Sequence, residues 1–233
     1  MKQLIILAIL MAAILMVSCN KNDNQATGVG DVLIVAKQSG ANTVYGISMY
    51  AYSLSPFASV STVSSADPGK TFILKANQGY KTSFYYETPD NQFTTTKPAV
   101  ATFTFSAIFE NRVTQEFQNT LTDKVLPIPT FIKCEYNIVD RRLDVKWTLI
   151  NGASSYSLSI FDGSTLVFGS AELKKSDGTY SINATGGGWA VGFKPENGKT
   201  YTVHLFAYLY EPGGGVYNIQ ATSIAEKTVV WGN

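Results

Sequence analysis

From residue 20 onward, no stretch places apolar side chains at the three- and four-residue spacing of a helix face. Short runs alternate instead between apolar and polar positions, separated by Gly, Pro, Asn and Asp. That is the pattern of half-buried strands joined by turns. In the first half the alternation predicts strands at Val32–Lys37, Tyr45–Tyr52, Thr71–Ala76, Thr82–Glu87, Ala101–Glu110 and Val113–Leu121. Thr102 to Phe109 is the clearest, with Phe103 and Phe105 on one face and Thr102, Thr104 and Ser106 on the other. Glu110-Asn111-Arg112 then turns the chain into a closing hairpin.

Leu126-Pro127-Ile128-Pro129 divides the chain. Two prolines so close force an extended backbone and remove ladder donors, so the segment predicts a short, stiff linker. Before it, some seven strands in about 100 residues fit an immunoglobulin-like sandwich over 31–126. After it, Leu143, Val145 and Trp147 alternate in RLDVKWTLI, and Tyr156, Leu158 and Ile160 alternate in SYSLSIFDG. Asn197-Gly198-Lys199-Thr200-Tyr201 leads into a further alternation of Val203, Leu205 and Ala207, and Ala221 to Trp231 supplies a last strand. In this order the segments over 127–233 resemble a fibronectin type III domain. The resemblance implies a second sandwich, with Trp147 in its core and Tyr201 as the tyrosine of the family's corner. The fold class expected is therefore all-β, two tandem β-sandwiches.

The N-terminus carries a different signal. Lys2 is followed by an uncharged apolar run from Leu4 to Val17, and Ser18 stands before Cys19. Fourteen residues fall short of the roughly 20 that cross a bilayer core. The layout is secretory, with residues 1–18 as a removable leader. Ser18-Cys19 resembles a bacterial lipobox of the looser kind found in Bacteroidetes lipoproteins, with Met16 where the commoner form has leucine. The resemblance implies cleavage before Cys19, lipidation of Cys19 and attachment to a membrane through that lipid. Asn20 rather than aspartate after the cysteine implies the outer membrane, on its periplasmic or its outer side. Residues 19–30, polar and rich in Asn and Gly, read as a flexible tether.

Composition narrows the function classes. Eighteen Lys and Arg face seventeen Asp and Glu, a balance that gives no electrostatic footprint for nucleic acid. If Cys19 carries lipid, Cys134 has no disulfide partner, and its apolar strand context reads as a buried, inert thiol. The chain's one histidine, His204, points away from the core face of its strand, and no nucleophile-elbow motif accompanies it. One His and one Cys cannot supply a zinc site, and the acidic residues form no calcium loop. No catalytic residue, metal or cofactor is expected. What remains is an aromatic stripe: Phe206, Tyr208 and Tyr210 follow His204 at period two, on a face that would ordinarily turn polar. With Trp189 these form the candidate binding face. The stripe suits sugar rings or a protein partner, or else it packs against the first sandwich or cross-strand neighbours such as Tyr217; the alternation of Trp189 with Val191 and Phe193 favours the core for that residue. The expected function is a non-enzymatic envelope module for binding, adhesion or assembly, with glycan capture as the alternative.

Overall fold

A computed structural model describes residues 27–77, 79–213 and 218–232. The apolar leader, Cys19 and the tether as far as residue 26 lie outside the described residues. Within them the chain is built from strands, with one short 3-10 turn at Asp90–Gln92.

The first sandwich contains β1 (Gly28–Ser39), β2 (Asn42–Ser53), β3 (Phe57–Ser64), β4 (Asp67–Asn77), β5 (Tyr80–Glu87), β6 (Ala101–Phe109) and β7 (Thr114–Leu121). Its ladders run β1-β2-β5-β4 on one side and β3-β6-β7 on the other, and β4 also pairs with β3 at the edge. This is the four-plus-three pairing of an immunoglobulin-like sandwich. Alternate residues meet between the layers in a phenylalanine-rich core of Phe57, Phe72, Phe84, Phe103, Phe105 and Phe109 around Ile34 and Met49. β7 closes on β1 through side chains: Gly28 N–H donates to Gln115 Oε1 at 2.7 Å. A Cβ on Gly28 would stand 2.6 Å from the Phe117 ring, so glycine is what lets that ring approach.

Two elements depart from the sequence reading. β1 begins at Gly28, inside the expected tether, because Gly28 to Asp31 pair with Tyr50 to Ser53 of β2. β3 has no counterpart among the expected strands. Its inward positions are Phe57, Val60, Thr62 and Ser64, so half of its buried face is polar and hides the alternation. Thr62 is satisfied there by donating to the Thr104 carbonyl at 2.9 Å.

The second sandwich contains β8 (Phe131–Asn137), β9 (Arg142–Trp147), β10 (Ser155–Asp162), β11 (Thr165–Gly169), β12 (Leu173–Lys174), β13 (Thr179–Asn183), β14 (Thr200–Tyr210) and β15 (Ile219–Val230). β13-β9-β8 face β11-β10-β14-β15, a fibronectin type III-like arrangement, and β12 adds to the end of β10. Leu143, Val145, Trp147, Tyr156, Leu158, Ile160, Tyr201, Val203, Leu205 and Ala207 all point into this core, as their alternation predicts. The Tyr201 hydroxyl accepts from the Glu196 N–H at 3.0 Å, closing the corner. The proline segment is tied down at both kinds of contact: Leu126 is buried in the second core, and the Ser223 hydroxyl donates to the Pro127 carbonyl at 2.8 Å.

The sandwiches are not separate beads. β1 pairs with β15 in parallel, Ile34 beside Ala221, Val35 beside Thr222, Ala36 beside Ser223 and Lys37 beside Ile224. One continuous sheet, β11-β10-β14-β15-β1-β2-β5-β4, therefore spans both halves. Both cores lie on the same face of it. Ile34 enters the first core from that face and Ala225 the second.

Trp147 is buried to 2 % exposure with its ring 5.6 Å from that of Tyr156. Trp147→Ala is expected to cost about 3–5 kcal/mol in equilibrium denaturant unfolding. A variant that unfolds at the wild-type midpoint would contradict this packing.

Candidate functional site

The face of the shared sheet opposite the cores carries a groove of about 350 Å³ where the two halves meet. Each contributing strand sends alternate residues into it. β14 supplies His204, Phe206 and Tyr208; β10 supplies Phe161; β15 supplies Thr222, Ile224 and Glu226. From the first half come Leu33, Val35 and Lys37 of β1, Ser48 and Tyr50 of β2, and Phe93 of the β5–β6 connection. Leu33 and Val35 make the floor and are buried, although they point away from the core of their own sandwich.

The wall on β14 is aromatic. The Phe206 and Tyr208 rings lie 6.1 Å apart with only 3° between their planes. His204 extends the row, 6.0 Å from Phe206, and packs on Phe161 at 4.5 Å. The Tyr208 hydroxyl shares a 2.8 Å hydrogen bond with Ser157 Oγ, which holds the ring in place. Opposite, Phe93 is seated on Gly46, where a Cβ would come within 2.8 Å of the ring. The Lys37 ammonium caps Phe93 at 4.0 Å from its centroid and pairs with Asp90.

Burial sets the charge states here. It pushes the Tyr50 hydroxyl up to about 12 and raises that of Tyr208, so both are neutral donors at physiological pH. It also lowers the His204 pKa, outweighing the Glu226 carboxylate 3.8 Å away, so the imidazole is neutral at pH 7. Glu87, at the mouth, is raised by desolvation and then by Asp90. The groove is thus an apolar trough with an aromatic wall, neutral hydroxyls along it and charged groups at its rim.

Of the residues singled out from sequence, Phe206 and Tyr208 meet in the groove and His204 joins them. Tyr210 does not. The ladder shifts register between Leu209 and Tyr210, and the Tyr210 hydroxyl turns to Ser155 and Glu172. Trp189 lies elsewhere, against Phe168, Phe193 and Trp231 at the edge of the second core, with its Nε1 donating to the Asn183 carbonyl at 2.8 Å. Cys134 is buried in the second core, and burial pushes its thiol up to about 11. It faces that core from β8, whereas His204 points away from the core on the opposite sheet, so the two do not form a thiol–imidazole pair. Among the described residues no group of three or more His, Cys, Asp or Glu could hold a metal ion. Leu33, Val35, Tyr50, Phe93 and Phe161 were not anticipated. The signal for two of them was the unbroken apolar run from Val32 to Ala36, which marks a strand covered on both faces.

No family model matches the sequence, and no curated protein matches it. Among solved structures, the fibronectin(III)-like modules of Clostridium thermocellum CbhA align over 87 % of this chain and 93 % of theirs, at 9 % identity and a TM-score of 0.26. The BSP domain of a biofilm-associated protein aligns over 91 % of this chain at 11 % identity and a TM-score of 0.28. A tetra-tandem repeat from the extending region of a large adhesion protein aligns over 87 % at 15 % identity and a TM-score of 0.24. This chain spans about half the length of the latter two, 53 % and 50 % respectively.

Beside the groove, at the β1–β15 junction, the Asp31 carboxylate accepts from Ile219 N–H at 3.2 Å and Val32 N–H at 2.8 Å. Burial nonetheless raises its pKa from 3.8 to about 6. The folded state therefore holds this proton more tightly than the unfolded chain, and its contribution to stability is full below pH 3.8 and lost as pH rises through about 6. Subtracting the Asp31→Asn stability profile from that of the wild type should expose a fall of up to about 3 kcal/mol across that window. A flat or rising difference would place Asp31 in a more polar setting.

Proposed function

We propose that this chain is a non-enzymatic binding module of the bacterial cell envelope, tethered through lipid on Cys19, whose ligand lies in the groove across the shared sheet. The observation that carries the reading is the row of Phe206 and Tyr208 along the groove, their rings parallel to within 3° with centroids 6.1 Å apart on adjacent outward positions of one strand. Aromatic rings held in a row present apolar area to a ligand with few torsions to freeze. Its volume is that of a small-ligand cleft rather than a protein-docking face.

Between the two ligand classes, envelope protein and glycan, the groove's chemistry favours the glycan. Sugar rings offer apolar C–H faces to an aromatic wall, and their hydroxyls match Ser48, Thr222 and the neutral Tyr50 and Tyr208 hydroxyls that line it. Catalysis has no support from the same groups: the imidazole is neutral but has no nucleophile beside it, and the thiol is buried in the core.

The test is a glycan array followed by titration calorimetry on the chain from residue 20. Phe206→Ala should weaken binding about tenfold or more at an unchanged melting temperature, as loss of a stacking face implies. Absence of any glycan ligand, with an envelope protein bound instead and released by Phe206→Ala, would replace the glycan by a protein partner. Binding untouched by Phe206→Ala would remove the groove from the function. For the anchor, Cys19→Ser should move the protein from the membrane to the soluble fraction, since a leader without its lipid leaves nothing to hold the mature chain. Retention in membranes would contradict lipidation.

A further inference from the structure

We propose that the parallel β1–β15 pair is a tension-bearing clamp, loaded in shear when the chain is pulled from its two ends. The argument rests on strand direction. β1 is entered from the N-terminal side at Gly28, and β15 is left on the C-terminal side at Val230. Because the two strands run the same way, a pull ahead of Gly28 drags β1 toward its start, while a pull beyond Val230 drags β15 toward its end. The strands are thus forced to slide along one another. In an antiparallel hairpin the same two ends would sit side by side and the ladder would open one bond at a time.

Shear changes how the load is shared. The bonds of a parallel ladder are evenly spaced and slanted, so sliding strains every rung from Ile34–Ala221 to Lys37–Ile224 together. Sliding also drags close-packed side chains past each other on both faces. On the core face these are Ile34, Ala36, Ala221 and Ser223, each at 1 % exposure or less. Sheet interiors packed to this density do not deform continuously. One further tie crosses the junction near its start, the Ile219 N–H on the Asp31 carboxylate.

Failure of the clamp would part the two halves while leaving both cores folded. The length released is then short: the free part of the connection ahead of Leu126, which stays in the second core, together with the reorientation of two folded halves. Lining residues of the groove come from both strands of the pair, so the same event would take the groove apart.

Single-molecule force spectroscopy on the chain from residue 20, with no ligand present, separates the possibilities. Handles ahead of Gly28 and beyond Val230 load the pair in shear. Handles at Ala41 and Lys227, which register places almost level with one another across the pair, load it by peeling. The first rupture should release a short length, and its force should be about twofold or more higher in the shear geometry. A Val35→Cys/Thr222→Cys disulfide should abolish that short first event, and reduction should restore it. Equal forces in the two geometries, or a short first event that survives the disulfide, would overturn the clamp.

Discussion

The parallel ladder between the first and the last strand is the constraint on which the rest depends. Without it, β1 and β15 would each be the edge of a separate sandwich, with a row of unpaired backbone groups open to solvent. With it, the two edges satisfy each other and two sheets become one. The consequence is visible in side chains that belong to neither core. Leu33 and Val35 are buried on the far face of β1, beneath the aromatic residues of β14 and the Phe93 loop. A strand buried on both faces cannot rotate or slip without exposing one of them.

The groove inherits its rigidity from that arrangement. Its walls stand on strands of one ladder rather than on two modules joined by a linker, so its shape is set by the sheet itself. Local bonds fix the parts that could still move: Ser157 holds Tyr208, Gly46 seats Phe93, and Lys37 with Asp90 closes the rim. Burial keeps the tyrosines and the histidine uncharged, so the apolar trough is not crossed by a desolvated ion. The chain's near-neutral charge sets up no strong long-range field over this face.

Much of the fold was legible because alternation maps directly onto strand faces. Leu143, Val145 and Trp147, then Tyr156, Leu158 and Ile160, are inward where their period places them. β3 escaped because Thr62 and Ser64 fill inward positions, and a buried hydroxyl with a backbone partner looks like surface in sequence. The site was half legible. A stripe of aromatics on an outward face announced Phe206 and Tyr208, but where the groove ends along the strand, short of Tyr210, depends on residues of the first half that leave no trace in the local pattern. The first-half contributors could not be placed from local pattern, since contact between β1 and β15 joins residues almost 190 positions apart. One clue was present: the run from Val32 to Ala36 does not alternate, and the most economical reason is cover on both faces.

The shared sheet is tested most directly by residue-resolved hydrogen exchange. If β1 and β15 are interior strands, consecutive amides across 34–37 and 221–224 should all exchange slowly, at rates close to those set by global unfolding. Alternate fast and slow amides along either segment would be the mark of an edge strand with one ladder only. That result would dissolve the shared sheet and, with it, the groove.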